Sequence, residues 1–313
     1  MIRRRLIHAT FLTVLPLLVA VSGLDVLTTA LLVAGLLLWR WLIVLSSLSR
    51  APNVPPMVLE TMAASHFVEK VRWCMDRLGV DYVEHQSAAT LGAFFAGRTV
   101  PQLRARTGVV ESVIGNSPEI LRYLWGVYAA PLGKGAAFLA PTPERLQLER
   151  RLDRYGVNLQ VWVYNHLLPW RALTLHVWGV DSRRVPVWQR LTLRLLYPLL
   201  AVLIRRAFVI SPERGAKALS GIEELLGEIE TRLADGRRSI LGGDTINYTD
   251  ITFAAFGGLW LQPGGYAGGQ GEDCRLPRER MPAGMRADID RWLEDYPKAT
   301  MFVRTLYERE RFV

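Results

Sequence analysis

The sequence predicts an α/β domain followed by an all-α domain, the two preceded by a pair of membrane-spanning helices. Three observations predict it. Residues 6–48 are almost purely apolar, broken only by His8, Asp25 and Arg40. Residues 56–127 set short apolar runs around one amphipathic helix. From residue 141 to the end, apolar residues recur at helical spacing. The domains are expected at 1–50, 51–130 and 141–313.

A bilayer core about 30 Å thick takes roughly 20 apolar residues per helix. The N-terminal run is too long for one span and fits two, at 6–21 and 24–41, turned at Ser22-Gly23-Leu24-Asp25. Arg3, Arg4 and Arg5 precede the first span, and Arg40 and Arg50 close the second. Positive residues stay in the cytoplasm, so both ends are expected there, with Asp25 outside. Trp39-Arg40-Trp41 has the make-up of an interfacial anchor, with indoles at headgroup depth and the guanidinium reaching outward. A secretory signal peptide is the alternative, with Arg3 to Arg5 as n-region, 6–19 as h-region and a cleavage site at Ala20-Val21-Ser22. Even then the second apolar run would stop transfer. One long helix kinked at Pro16 fits less well, because Asp25 would sit in mid-bilayer. The expectation is a multi-pass membrane protein with its soluble domains on the cytoplasmic side.

The chain carries 38 Lys and Arg against 29 Asp and Glu, and the excess is uneven. Between Ser182 and Pro212 stand Arg183, Arg184, Arg190, Arg194, Arg205 and Arg206, with no acid among them. No zinc-binding, helix-turn-helix or RNA-binding signature accompanies this charge, so nucleic acid is not the expected partner. On a tethered domain an anionic lipid surface fits better. The two cysteines, Cys74 and Cys274, form neither a disulfide framework nor a metal-ligand spacing, and no metal is expected. Cys74 reads as a small buried hydrophobe.

In the first soluble domain, Met57-Val58-Leu59 reads as a buried parallel strand. A helix follows from Ser65, with Phe67, Val71, Cys74, Met75 and Leu78 on one face and Glu69, Lys70, Arg72, Asp76 and Arg77 toward water. Gly79 stops it. A second strand is expected at 82–85 and a loop or short helix at 87–97. A third strand starts at Val100-Pro101-Gln102-Leu103, turns at Thr107-Gly108 and pairs back over 109–114. Asn116-Ser117-Pro118-Glu119 opens another helix, read with Ser117 as N-cap, Pro118 at the first helical position and Glu119 in the first turn.

A β-α-β crossover followed by an antiparallel hairpin and a helix is the thioredoxin-like arrangement. With Ser65-His66-Phe67-Val68-Glu69-Lys70-Val71-Arg72, Val100-Pro101 and Asn116-Ser117 in that order, the chain resembles the glutathione transferase superfamily from about residue 56 to the end. The resemblance implies an α/β thioredoxin-like domain followed by an all-α domain, with glutathione as co-substrate. It implies that Ser65 stabilises the glutathione thiolate at a helix N-terminus. It implies that Val100, ahead of a cis Pro101, pairs with the cysteinyl backbone, and that Asn116 and Ser117 hold the γ-glutamyl end. Each residue also has a plainer reading: Ser65 and Ser117 as N-caps, Pro101 as a strand start. No C-x-x-C is present, since Ser65 and Val68 occupy those places, which argues against disulfide chemistry.

The second domain opens at Pro141-Thr142-Pro143-Glu144 with a long helix whose Leu146, Leu148, Leu152, Tyr155, Leu159 and Trp162 face a core. The leucine-rich stretch 188–210 is either a core helix or a basic interfacial helix. Another amphipathic helix covers 216–233. Asn247 and Asp250 have capping-box spacing, with Ile246 and Ile251 as hydrophobic staple, ahead of a buried central helix at 252–261. The glycine-rich run 263–271 lacks the marks of a phosphate loop. The sequence as a whole points to a membrane-anchored glutathione transferase-like protein. The reaction would be thiolate attack on an apolar electrophile held near Tyr155, Asn158 and Trp162. Relatives of this kind are often homodimers. The alternative is an inactive scaffold of the same fold that docks a membrane partner.

Overall fold

The computed structural model describes residues 23, 25–48, 57–88, 100–107, 110–269 and 271–312. The first predicted span at 6–21, Arg3 to Arg5, the alternative cleavage site, Arg50 and nearly all of the 87–97 segment lie outside the described residues. The chain divides into two units, Met1–Pro55 with Thr107–Val110, and Pro56–Arg106 with Glu111–Val313.

In the first unit, helix α1 covers Val26–Leu48, 23 residues. Asp25 caps it: its Oδ1 accepts from the Leu27 and Thr28 backbone N–H groups at 3.0 Å, and its Oδ2 from the Thr28 hydroxyl at 2.6 Å. Leu27, Leu31, Leu38, Trp39 and Trp41 are all exposed. The two-span hairpin itself is not shown. One limb lies outside the described residues, and the described apolar part of α1 is the short stretch Leu27–Trp39. Among the described residues the helix long and apolar enough to cross a membrane is instead Val187–Ala207.

The second unit begins with a four-stranded sheet of β1 (Met57–Thr61), β2 (Val83–Gln86), β3 (Gln102–Thr107) and β4 (Val110–Gly115), in the order β2-β1-β3-β4. β1 pairs in parallel with β2 from Val58↔Val83 to Thr61↔Gln86, and antiparallel with β3 from Met57↔Ala105 to Glu60↔Gln102. All five β1 residues are buried, as its unalternating apolar start implies. Helix α2 (His66–Arg77) makes the crossover from β1 to β2 and ends before Gly79, whose φ of +64° is left-handed. This is the thioredoxin-like topology. The strands run slightly later than the sequence places them, since the edge residues Tyr82 and Pro101 lack ladder partners.

After α3 (Ser117–Leu132) the chain is helical: α4 (Pro143–Leu167), α5 (Arg171–Val177), α6 (Val187–Ala207), α7 (Pro212–Arg232), α8 (Tyr248–Leu261), α9 (Ala283–Asp295) and α10 (Pro297–Arg309). α8 is buried nearly all round, which marks a central helix. The larger of two core clusters runs from Leu59, Val71 and Leu103 to Leu152, Phe253 and Trp292, and a smaller one gathers Leu168, Trp178, Leu193 and Tyr197 around α5 and α6.

The polar face of α2 differs from the sequence expectation. Glu69, Lys70 and Arg72 do not face water; all three are buried. The second half of the chain covers that face of α2 and supplies partners. Lys70 Nζ reaches Glu149 at 3.2 Å and Asp153 at 3.4 Å. Arg72 bridges Glu69 at 2.8 Å and Glu84 at 2.7 Å, and Arg311 Nε meets Glu69 at 2.7 Å. Burial pushes the Glu84 carboxyl upward, but the hydrogen bond and charge of Arg72 outweigh it and hold it below the usual range. Cys74 is buried, and burial raises its thiol to about 12, so it stays a neutral packing group.

Candidate functional site

A cavity of about 470 Å³ opens where the N-terminus of α2, the β3 approach and the start of α3 meet α4 and α6. Ser65, Val100 and Asn116 all line it. They come from three separated stretches of sequence, and the fold brings them together.

Ser65 is the N-cap of α2, at φ −79° and ψ 121°, and its Oγ accepts from the Val68 backbone N–H at 3.4 Å. The oxygen is thus used as an acceptor while the hydroxyl proton is left to donate elsewhere. His66, next in the chain, is fully enclosed, and its Nε2 sits 2.9 Å from the Gly156 carbonyl. That contact requires Nε2–H as donor, so Nδ1 is the bare nitrogen. Burial lowers its pKa to about 4, against the pull of the carbonyl, so the ring is neutral at ordinary pH. Gly156 also leaves room for the rings beside it: a Cβ there would lie 2.6 Å from the Phe256 ring and 2.9 Å from Phe67. His66, Phe67 and Phe256 form one aromatic cluster, with ring centroids 4.3 to 5.0 Å apart.

Val100 precedes Pro101 through a cis peptide bond, and Pro101 is buried. The α3 start differs by one residue from the sequence reading. Asn116, at φ +68°, occupies the N-cap position and makes no side-chain cap bond; Ser117 is the first helical residue and Pro118 follows. Ser117 is therefore not an N-cap. Its Oγ is buried and has no hydrogen-bond partner among the described residues. A buried hydroxyl without a partner costs about 1–3 kcal/mol, and it contrasts with the starts at Ser65, Thr142, Ser211 and Asn247, where the side chain accepts a backbone N–H.

The three residues expected around the electrophile do not line the cavity. Tyr155 is in the core, its hydroxyl accepting from Trp260 Nε1 at 3.1 Å. Asn158 lies against Gly221 of α7, where a Cβ would come within 2.5 Å of its Nδ2. Trp162 donates to Asp288 at 2.9 Å and packs on Trp292. Helix periodicity marks the most densely packed face of α4, and Tyr155 and Trp162 are on it; Asn158 is half-buried beside it. The cavity is faced instead by Gln160, Val163, Tyr164 and Leu167 of the same helix, with Trp178 and Phe208 from beyond it. No local pattern distinguishes these positions, because their role depends on how α5 and α6 fold back. Among the described residues no group of three or more His, Cys, Asp or Glu is placed to hold a metal ion.

No family model matches the chain, and no curated protein matches it. Solved structures do. A glutathione S-transferase from Methylobacterium radiotolerans, in complex with glutathione sulfonate, is 18% identical, with 82% of this chain and 92% of that one covered at a TM-score of 0.49. A glutathione transferase family member from Pseudomonas fluorescens with two glutathione bound is 13% identical, over 85% and 96%, at 0.48. FzlA from C. crescentus is 18% identical, over 82% and 89%, at 0.46. Likeness at this distance says nothing of what the chain does.

Proposed function

We propose that the cavity binds glutathione and that the protein transfers its thiolate to an apolar electrophile. The observation that carries this is the convergence of Ser65, Val100 and Asn116 on one cavity, with the buried Ser117 hydroxyl unpartnered beside Asn116. Glutathione has a thiol, an extended peptide backbone and a γ-glutamyl end, and each group of residues suits one part. An ordinary thiol has a pKa near 8.5 and reacts as thiolate. The Ser65 proton, free to donate, and the positive end of α2 both favour that anion. The neutral His66 adds no charge. The γ-glutamyl carboxylate would meet Ser117 at the N-terminus of α3, where an anion is favoured, and Val100 would pair with the peptide backbone. The aromatic wall of Phe67, Tyr164, Trp178 and Phe208 suits an apolar electrophile.

The test is a thermal shift with glutathione. At 100 times Kd a ligand stabilises the folded state by about 2.7 kcal/mol. No shift at millimolar glutathione would sink the reading and leave the scaffold alternative.

We propose further that α1 spans a membrane, placing the second unit on its cytoplasmic side. Its apolar stretch Leu27–Trp39 is continued past Arg40 by Trp41-Leu42-Ile43-Val44-Leu45, and residues 26–45 together rise about 30 Å, the thickness of a bilayer core. Its exposed leucines and tryptophans support this. Retention of the full chain in the pellet after alkaline carbonate extraction is expected, and its release would rule the anchor out.

A further inference from the structure

α6 has two faces of different kinds. One is bonded into the second unit: the Ala88 N–H donates to Gln189 Oε1 at 2.8 Å, and the Tyr197 hydroxyl donates to the Leu168 carbonyl at 2.7 Å. The other carries Leu191, Leu195, Leu199, Val202 and Leu203, all exposed, Leu195 by 79%. At i, i+4, i+8, i+11 and i+12 they form one stripe along the helix. A single exposed leucine is ordinary, but five in a row are not. Arg183 and Arg184 before the helix, Arg194 within it, and Arg205 and Arg206 at its end are exposed as well. Among the described residues, only Arg194 of these five has an acidic partner, Asp181 at 3.5 Å.

We propose that α6 lies in the headgroup layer of an anionic bilayer, its apolar stripe inward and its arginines on lipid phosphates. The charge pattern selects this occupant, since exposed arginines flank the apolar surface at both ends and no acid lies within the helix itself. A second copy meeting the same stripe would set arginine against arginine. The helix is long enough to span, but spanning would break the Gln189 and Tyr197 bonds and bury Arg194 in hydrocarbon.

Docking has a consequence for the cavity. Ile204, Ala207 and Phe208, at the end of α6, form part of its wall. A docked α6 therefore brings that wall to the lipid, and the electrophile class becomes apolar molecules dissolved in the bilayer. This consequence rests on the glutathione reading; the docking does not, and a failed glutathione titration leaves it standing.

The test uses the full chain in vesicles, with a nitroxide label on Leu195→Cys and, as reference, on the exposed Met301→Cys of α10. The native Cys74 and Cys274 are buried. In vesicles containing phosphatidylglycerol, the label at 195 should be shielded from a water-soluble nickel complex roughly fivefold more than the label at 301, while open to oxygen. Adding Arg205→Gln and Arg206→Gln should return it toward the reference. Equal nickel access at both sites overturns the proposal. So does shielding that persists in detergent with a short label-to-label distance, which would mean a second copy on the stripe.

Discussion

Two asparagine-led helix starts in this protein look alike in sequence and differ in how completely they are bonded. At Asn247, before α8, every group is used. Asp250 accepts from the Ser239 hydroxyl and from the Ile240, Asn247 backbone and Asn247 side-chain N–H groups, each at 2.8 Å. The Asn247 Oδ1 accepts in turn from Thr249. At Asn116, before α3, the asparagine makes no cap bond and the Ser117 hydroxyl behind it is buried and unpartnered. A saturated start holds a fold together. The open one adjoins the cavity, which Asn116 lines, and under the proposed function a ligand would complete it.

The sharpest way to break this comparison is Asp250→Ala. It removes four hydrogen bonds and strands buried donors, so unfolding free energy should fall by about 4 kcal/mol. Glutathione affinity of the remaining folded protein should not change. Equal stability in urea denaturation would show that the saturated start is not structural.

A pH effect of nearly the same size belongs to the cavity floor. His66 has its pKa lowered to about 4 in the folded state, from an ordinary 6.5. Below pH 6.5 the unfolded chain takes up a proton that the folded chain refuses until about pH 4. Stability is therefore full above 6.5 and is lost as pH falls toward 4, by about 3 kcal/mol. Denaturation curves of wild type and His66→Gln between pH 7 and 4.5 should diverge in slope, the variant being flatter. Parallel slopes would place the histidine in solvent.

Ser65 lies between the two extremes, since it both caps a helix and faces the cavity. Ser65→Ala should cost about 1 kcal/mol of stability as a cap. It should lower the conjugation rate at pH 7 about 100-fold, or about 2.7 kcal/mol of barrier, and raise the pH at which the rate climbs. A rate loss with an unchanged pH profile would reduce it to a cap.

Much of this contrast was legible in the sequence, because capping residues act over three or four positions. Ser65, Gly79, Asn247 and Asp250 all stand where local spacing puts them. Long-range packing was not legible. Glu69, Lys70 and Arg72 read as a solvated face, since their partners Glu149 and Arg311 are far along the chain. Tyr155 and Trp162 read as a pocket although they are core, because the pattern that finds a helix also finds its most buried side. The true cavity face of α4 carries Gln160 and Tyr164, whose mixed polarity gives no periodic signal.

The smallest expected effect is the most discriminating. Ser117→Ala removes a hydroxyl that has no partner in the unliganded protein, so stability should stay within about 0.5 kcal/mol or rise. If that hydroxyl meets the γ-glutamyl end, glutathione affinity should fall about tenfold, or about 1.4 kcal/mol. A plain capping serine would give the opposite pair, a stability loss near 1 kcal/mol with affinity intact. Calorimetry of glutathione binding beside urea denaturation separates the two. Set beside Asp250→Ala, it states the comparison in measurable form: at one asparagine the bonds belong to the fold, and at the other the proposed glutathione would complete them.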